Sequence, residues 1–435
     1  MARTVTCVPT TNMKRTFFVP SVVLCVLVCV SVPAAQFVKP ALLGPGVNAE
    51  GFFDDTKLHS IYISINSKDW QSLRDHFLDN TYYQCDMKWQ DLTVRNIGIR
   101  SRGTGSRDQT KPGLRVDFDR YTTDQKFLNL KSFILRNNTQ DASGMHERLS
   151  MALARKIGIL EAPREAHAKL YIDNEYWGLY TIVENVDKTF LKRIYGDDNG
   201  YLFKYDFNVG DSGYYYEDRG DDPALYVPSP FKPETHETDS RPEYVRDFIR
   251  IVNQAGGDTF RSQIGSFIRW PNFLKHIAVE NFVADQDGFN GNYGTNNFYW
   301  HRFDNQNLFT WILWDKSEAF KDPVTLSILH NIEEGASPDK RNRLSRQAFG
   351  FADLKNQYLD ALASLANAAS ETIAGDSRGW LEREIERAYA QTRQAQLDDT
   401  KRPYTNDQFE ADVNVLRSFA RQRSSNVLSQ VAAAR

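Results

Sequence analysis

A run of Asp, Asn and Gly residues between two apolar segments holds the side chains best suited to chemistry in this sequence. Asp287 follows a helix-like apolar pattern, Asn296 and Asn297 follow in the same loop, and Asp315 ends a second apolar run. Carboxylate and amide oxygens are the hard ligands that suit Mg²⁺, and loops on rigid scaffolds often carry reactive groups. We therefore predict one metal-and-phosphate site built from the two carboxylates and from Asn296 or Asn297.

A glycine-rich turn earlier in the chain is a second candidate for binding anions. It lies between predicted strands at 92–102 and 114–119, and Lys111 is close by. Small residues let backbone N–H groups approach a phosphate, and a lysine adds a point charge. The residues predicted to contact phosphates are Arg102, Gly103, Gly105, Ser106 and Lys111. A plain hairpin with basic flanks is the structural alternative for this segment.

Two acids in the same half of the chain complete the candidate set. Glu147 lies in the first turns of a predicted helix over 144–156, where it could steady Lys111. Glu184 ends a predicted strand over 178–183, where it faces either a nucleotide or solvent. We place both with the groups that bind the cofactor.

Each residue of the Asp and Asn run also has a purely structural interpretation. Asp287 and Gly288 could form a turn, and the Asn296–Asn297 pair could satisfy loop backbone groups. Asp315 could cap a helix that begins near Ser317. Both interpretations of these residues stay open at the level of sequence.

The order of elements indicates how these residues are brought together. Strands with one inserted helix come first, then a segment rich in Gly, Pro, Asp and Tyr without helical periodicity, then helices with one hairpin. The predicted divisions are a signal peptide (1–35), a linker (36–56), a β-rich N-lobe (57–206), a flexible loop or flap (207–243) and a helical C-lobe that carries the catalytic and metal segment (244–435).

The N-terminal segment has the features of a secretory signal. Lys14 and Arg15 precede an apolar run that ends near Val32, and small residues follow it. Three of the four cysteines fall in this segment, so the mature chain keeps only Cys85 and has no internal disulfide. We expect a secreted or surface protein without a transmembrane span in its mature chain.

The charge of the mature chain argues against a nucleic-acid partner. Without Arg3, Lys14 and Arg15, 50 basic residues remain against 56 acidic ones, which gives a net charge of −6. Nucleic-acid binding needs a basic surface. The candidate partners are therefore proteins and nucleotides rather than DNA or RNA.

The order of these parts is the plan of a protein-kinase-like phosphotransferase. A β-rich part with a glycine turn and a lysine comes first. A helical part follows, with an Asp-containing loop, a hairpin and another Asp. Phosphoryl transfer needs a carboxylate for the acceptor hydroxyl, oxygen ligands for Mg²⁺ and cations on the phosphates of ATP. Asp287 would be the base, the Asn pair and Asp315 the metal ligands, and Lys111 a phosphate contact.

The sequence resembles the CotH family, the spore-coat-type protein kinases. The segments that carry the resemblance span roughly 57–435 and are Ile99–Ser106 with Lys111, Asn138–Arg148 with Asp141, Tyr176–Asp187, Gly200–Lys204, Asp287–Gly288, Asn296–Tyr299 and Trp314–Asp315. The resemblance implies a divergent two-lobe α+β kinase fold and ATP-dependent phosphorylation of Ser or Thr on proteins outside the cytoplasm. By motif position, Asp287 matches the family's catalytic acid and Asp315 its metal-binding acid.

One departure from the family pattern bears on activity. The family usually continues Trp-Asp-x-Asp, whereas Lys316 and Ser317 follow Asp315 here. A lysine beside a metal ligand opposes the cation, and the second carboxylate is missing. The chain is then an active kinase, one that recruits Glu318, or a catalytically impaired binding or structural protein of the coat or adhesin type. Asn292 is a rival to the Asn pair as a metal ligand, and a carbohydrate-active enzyme with two paired carboxylates is a third interpretation.

Overall fold

The computed structural model describes residues 46–206, 216–335 and 341–435. The predicted signal peptide, most of the predicted linker and the first part of the predicted flap lie outside these residues. From Pro45 to Arg435 the chain forms one compact unit. It is a mixed α+β structure, as predicted, and none of its described helices combines the length and apolarity needed to cross a bilayer.

Seven strands form a closed barrel in the order β1-β2-β3-β4-β5-β7-β6, and β1 and β6 close it as its parallel pair. The strands are β1 (His59–Ile65), β2 (Tyr83–Trp89), β3 (Leu92–Ser101), β4 (Leu114–Asp117), β5 (Ser132–Arg136), β6 (Glu165–Ile172) and β7 (Glu175–Glu184). Alternate side chains fill the interior: Ile61 and Ile63 of β1 are fully buried. β2 is not among the predicted strands, although Cys85, Met87 and Trp89 alternate inward there.

A second sheet contains the predicted hairpin. Its strands are β8 (Tyr201–Tyr205), β9 (Phe231–Pro233), β10 (Phe298–Arg302) and β11 (Phe309–Leu313), in the order β11-β10-β8-β9. Trp300 pairs with Trp311 at the centre of the antiparallel β10–β11 hairpin. Because β9 lies within the segment predicted to be a loop or flap, the described part of that segment is partly ordered into the sheet.

The helices are α1 (Ala49–Phe52), α2 (Ser67–Asp75), α3 (His146–Lys156), α4 (Lys188–Tyr195), α5 (Pro242–Gln254), α6 (Gly257–Ile264), α7 (Trp270–Phe282), α8 (Arg343–Phe349), α9 (Ala352–Ser370), α10 (Trp380–Leu397) and α11 (Asn406–Ala434). The two helices expected over 406–420 and 420–433 are one continuous helix. Thr405 and Gln408 begin it with a reciprocal capping box, and the sequence around residue 420 contains neither Gly nor Pro to end it.

Three apolar clusters position the elements that carry the candidate residues. One fills the barrel, one joins the helices, and a small third cluster joins the outside of the barrel to the second sheet. In the third cluster Ile134 and Val183 of the barrel share a core with Tyr299 and Trp314. The barrel strands and the segment that carries Asp315 are therefore held together by apolar packing.

The last helix is anchored behind the candidate loop by a buried arginine. Arg423 is fully buried, and its guanidinium donates hydrogen bonds to the backbone carbonyls of Asn281, Phe282, Val324 and Leu326. Asn281 and Phe282 are the last two residues of α7, so the bonds to their carbonyls tie the C-terminal end of that helix to α11. The start of the Asp287 loop is thereby fixed to α11.

Candidate active site

Asp287 lies in the loop after α7 and is held by the two asparagines predicted to share its site. The Asn296 side-chain amide donates to Asp287 Oδ1 over 2.9 Å, and that of Asn297 donates to Oδ2 over 2.8 Å. Burial and the neighbouring Asp285 raise the pKa of Asp287 to about 7. A carboxylate with that pKa changes its protonation state near neutral pH, which suits a group that accepts protons.

Close contacts at two glycines impose the shape of this loop. A Cβ atom at Gly288 would lie 2.6 Å from the carboxyl carbon of Glu280, and one at Gly291 would lie 2.3 Å from the Gln286 carbonyl oxygen. The Glu280 carboxylate also accepts a hydrogen bond from the Phe289 N–H over 2.8 Å. The Asp-Gly sequence therefore does form a turn, and that turn is packed against a buried acid.

Asp315 follows β11 and forms ion pairs that reach the barrel and α3. Arg136, at the end of β5, donates to Asp315 Oδ1 over 2.7 Å and to Glu147 Oε1 over 2.9 Å. Burial alone would raise the pKa of Asp315, but Arg136 and Arg102 lower it to about 2. Burial raises the pKa of Glu147 to about 7 although Arg136 opposes the shift. Asp315 is therefore ionised at neutral pH, whereas Glu147 changes its protonation state there.

Lys316 is part of a separate buried ion cluster. Its ammonium lies 2.7 Å from Glu280 Oε1 and 2.9 Å from Asp285 Oδ2, and all three side chains are 1% exposed or less. Burial alone would lower the pKa of Lys316, but Asp285 and Glu280 raise it above its ordinary value. The lysine that was expected to oppose a cation at Asp315 is thus neutralised by two other carboxylates.

Arg102 places a guanidinium in the same region that has no ion-pair partner among the described residues. It lies 5.9 Å from the centre of the Trp314 ring, and no hydrogen bond or ion pair of its side chain occurs within the described residues. Burial and the charge of Arg136 lower its pKa to about 10, which still leaves it protonated at neutral pH. An unpaired cation beside Asp315 is available to an anionic ligand.

The turn that follows Arg102 is rigidly held at both ends. Gly103 has φ of +115°, and a Cβ atom there would lie 2.6 Å from Ser106 Oγ. The Arg107 side chain donates to the Gly103 carbonyl over 2.8 Å, and Asn137 donates to the Ser106 carbonyl over 2.9 Å. Gly105 is exposed between these anchors. Contact of this turn with phosphate stays a prediction.

Lys111 has a different partner from the one expected. Its ammonium is bound by Asp399 Oδ2 over 2.6 Å and by the Leu179 carbonyl over 2.9 Å, and the residue is 1% exposed. The expected Lys111–Glu147 pair is therefore wrong, because Arg136 binds Glu147 instead. A phosphate contact by Lys111 stays a prediction that this arrangement does not favour, because Asp399 neutralises the ammonium.

Glu184 is also ion-paired, with two arginines. It is 2% exposed, and its two oxygens bind the guanidinium groups of Arg164, 2.7 Å away, and Arg193, 2.5 Å away. It thus faces neither solvent nor open space, and these ion pairs join β7 to α4. Its assignment to nucleotide binding stays a prediction.

The residues brought into one region are Asp287, Asn296, Asn297, Asp315, Arg102 and Glu147. Sequence reasoning missed Arg136, which joins two of them. The one available signal was a charged residue at the end of an apolar strand, Phe133–Arg136. The rival ligand Asn292 lies elsewhere in the loop, and its side-chain oxygen accepts hydrogen bonds from His330 and Asn331.

The available oxygen atoms are of the type that binds a hard divalent cation. Asp315 Oδ1 is taken by Arg136 and Ser317, whereas Oδ2 accepts no hydrogen bond within the described part of the chain. The amides of Asn296 and Asn297 use their nitrogens on Asp287, which leaves both amide oxygens free of hydrogen bonds from other described residues. One carboxylate oxygen and the amide oxygens are ligands of the type Mg²⁺ takes.

Comparison with known proteins identifies relatives of this chain. A family model described as "CotH kinase protein" matches residues 99–427. Inner spore coat protein H of Bacillus subtilis (strain 168) is 24% identical over 251 residues, which cover 58% of this chain and 66% of the relative, slightly less than two thirds of its length. The proinflammatory kinase CtkA of Helicobacter pylori matches over 74% of this chain and 93% of its own, with 9% identity and a TM-score of 0.26. That TM-score is too low to support an argument from the structure.

Replacement of Lys316 tests the buried ion cluster. We expect Lys316→Met to lower the free energy of unfolding by about 3–5 kcal/mol at pH 7, because Glu280 and Asp285 would stay buried without their cation. Chemical denaturation measures the change. Lys321→Met, which removes an exposed lysine, is the matched control and should cost about 1 kcal/mol or less. Equal effects of the two substitutions would contradict the assigned role of Lys316.

Proposed function

Because the chain belongs to the CotH family, we propose that it is a secreted protein kinase that transfers the γ-phosphoryl group of ATP to Ser or Thr residues of exported or surface proteins. One observation carries the proposal. A carboxylate held by two amides, Asp287, lies in the same region as an ionised carboxylate, Asp315, and an unpaired guanidinium, Arg102.

In the proposed reaction Asp287 receives the proton of the acceptor hydroxyl. The hydroxyl oxygen forms a bond to the γ-phosphorus as the bond to the β,γ-bridging oxygen breaks, and ADP leaves with the bonding electrons. The raised pKa of Asp287 places its proton affinity close to neutral pH, where a base is most effective. Asn296 and Asn297 fix both carboxylate oxygens, so Asp287 can be oriented before substrate binds.

Phosphate binding is assigned to Arg102 and to the turn that follows it. Arg102 has no competing anion bound to its side chain among the described residues, and a guanidinium can bind two phosphate oxygens at once. Gly103, Gly105 and Ser106 lie in the adjacent turn, where small residues permit approach of a phosphate to the backbone. Arg136 and Glu147 position Asp315 through their ion pairs.

Magnesium is assigned to Asp315 Oδ2 and to an amide oxygen of Asn296 or Asn297. When bound, the ion neutralises charge on the phosphates of the nucleotide. The chain's own contribution is an Asp315 carboxylate whose pKa of about 2 keeps it ionised over the whole physiological range.

In the proposed two-lobe kinase arrangement, the barrel is the lobe that covers the nucleotide and the helices form the lobe that binds substrate. Secretion is supported by the apolar segment predicted as a signal peptide over 1–35. A relative named as a spore coat protein supports a location at a surface.

Replacement of Asp287 tests the proposed base. With [γ-³²P]ATP, Mg²⁺ and a mixture of exported proteins, we expect purified full-length protein to phosphorylate Ser or Thr. Asp287→Asn should lower the rate by about 10²–10⁴-fold, because the proton acceptor is lost. The isosteric amide keeps the side-chain volume, and Asp304→Asn in the β10–β11 turn is the matched control that should retain the wild-type rate.

A pH profile separates the catalytic role from a structural one. The wild-type rate should fall below about pH 7, because protonated Asp287 accepts no proton. The residual rate of Asp287→Asn should lack this dependence. An Asp287→Asn variant with the wild-type rate and profile rules out Asp287 as the base.

A comparison of Arg102 with Lys111 tests the phosphate assignment. We expect Arg102→Ala to weaken binding of ATP by about 10–100-fold, equivalent to one or two charge-assisted hydrogen bonds, with little effect on the thermal midpoint. Lys111→Met should instead lower the thermal midpoint, because Asp399 would stay buried without a cation. Calorimetric titration and thermal unfolding measure both quantities. The reverse pattern would reassign the phosphate contact to Lys111.

The second candidate function is a catalytically impaired binding or structural protein on the same scaffold. Ser317 favours it, because this residue stands where the family usually has a second carboxylate and donates a 2.9 Å hydrogen bond to Asp315 Oδ1. Arg136 already neutralises Asp315 without a metal.

Ser317→Asp distinguishes the two candidates. For an active kinase we expect a measurable wild-type rate that rises less than about tenfold in Ser317→Asp, because Asp315 suffices as the carboxylate ligand. For an impaired protein the wild type shows no transfer, and Ser317→Asp restores Mg²⁺-dependent transfer. Ser327→Asp, in the same segment, controls for added charge. Absence of transfer and of ATP binding in the wild type contradicts the kinase proposal.

A further inference from the structure

A second group of metal-ligating side chains lies beside the candidate site, where α3, α11 and the segment after Asp315 meet. Asp141 precedes α3, His146 is the first residue of α3, and Asp412 lies in α11. The His146 and Asp141 side chains are 1% and 4% exposed, and that of Asp412 is 20% exposed. The cluster is therefore buried but has one edge at solvent.

The ring nitrogen His146 Nε2 points into this cluster without a hydrogen bond. It lies 3.2 Å from Asp412 Oδ2 and 3.5 Å from Asp141 Oδ1, but neither contact has the geometry of a hydrogen bond. One ligand atom from each residue lies within 4.8 Å of the other two. Metal–ligand bonds of about 2.0–2.2 Å place neighbouring ligand atoms about 3.0–3.5 Å apart. The contacts of His146 Nε2 match that spacing.

The other ring nitrogen fixes the tautomer that metal binding requires. His146 Nδ1 lies 3.1 Å from the Ser317 carbonyl oxygen, which can only accept a hydrogen bond, so the Nδ1 proton is donated to it. A ring protonated only at Nδ1 carries its lone pair at Nε2, the nitrogen that faces the two carboxylates. Metal-ligating histidines usually donate their second N–H to a carbonyl or carboxylate in this way.

The two carboxylates are also held in place by the surrounding chain. Asp141 accepts hydrogen bonds from Ser143 Oγ over 2.6 Å, the Gly144 N–H over 2.8 Å and the His146 N–H over 2.7 Å. Asp412 Oδ2 accepts one from the Ser143 N–H over 2.9 Å. These bonds orient both carboxylates. Asp141 Oδ1 accepts two of them and Oδ2 accepts one, so a lone pair of Asp141 remains at Oδ2.

We propose that Asp141, His146 and Asp412 bind a first-row divalent cation of the Zn²⁺ type, distinct from the Mg²⁺ assigned to Asp315. One imidazole and two carboxylates suit such an ion, with solvent completing its coordination at the Asp412 edge. The cation neutralises two carboxylates that are otherwise close together in a buried position, and it binds in the absence of nucleotide.

The bound cation joins three segments that bear on the candidate active site. His146 is next to Glu147, which binds Arg136. The Ser317 carbonyl accepts a hydrogen bond from His146 Nδ1, and the Ser317 hydroxyl donates one to Asp315. Asp412 brings in α11. The site therefore has a structural role that does not depend on whether phosphoryl transfer occurs.

Titration of chelator-treated full-length protein with Zn²⁺ alone tests the proposal. We expect one equivalent to bind by calorimetry to the wild type and to Asp315→Asn, with the thermal midpoint rising in both. Asp412→Asn and His146→Gln should each weaken this binding at least 100-fold. Asp407→Asn, an exposed position in the first turn of α11, is the matched control and should bind as the wild type does.

X-ray absorption of the Zn²⁺-loaded wild type identifies the ligand atoms around the metal. This measurement needs no variant, so it still tests the proposal if a variant fails to fold. We expect one imidazole and otherwise oxygen ligands around the metal. Four results would each overturn the proposal. Two concern variants: wild-type affinity in Asp412→Asn, or loss of all binding in Asp315→Asn. Two concern the wild type: sulfur or more than one imidazole at the metal, or no Zn²⁺ binding. In those cases the cluster is a histidine ion-paired with two carboxylates and holds no metal.

Discussion

The buried cluster of Lys316 with Glu280 and Asp285 constrains the rest of the candidate site. One ammonium lies between two carboxylates that have almost no contact with solvent. Removal of Lys316 would leave two buried carboxylates without a cation in a medium of low dielectric, which costs several kcal/mol. The segment after β11 must therefore stay against the end of α7. Because Asp315 precedes Lys316 and Asp287 follows Asp285, the same constraint determines where both acids lie.

A second group of charges joins Asp315, the residue before Lys316, to the barrel. Arg136 contacts both Asp315 and Glu147, so the end of β5, the start of α3 and the segment after β11 share one guanidinium. Arg102 lies close enough to affect the pKa of Asp315 but has no partner of its own among the described residues. Among the described residues, Arg102 is thus a cation of this region without an ion-pair partner, which suits a site for an anionic ligand.

The C-terminal helices form ion pairs and hydrogen bonds with residues earlier in the chain. Asp399, between α10 and α11, neutralises Lys111 beside the barrel, and Glu384 of α10 binds Arg148 of α3. Arg423 of α11 donates to the backbone that leads into the Asp287 loop. These contacts explain how a loop containing several glycines can have a defined conformation.

Residue patterns were enough to predict the mixed α+β class, most helices and strands, the β10–β11 hairpin and the Asp and Asn residues that meet at Asp287. These features follow from periodicity and from short-range turns, which neighbouring residues specify. The partners of the charged residues, by contrast, depend on how the chain folds. Lys111 binds Asp399, almost 300 positions away, and Arg136 takes the Glu147 that had been expected to pair with Lys111. Likewise, Lys316, expected to oppose a cation at Asp315, is neutralised by Glu280 and Asp285. Ion pairs form between groups that the fold brings within about 4 Å, and the sequence order of those groups carries no information about that distance.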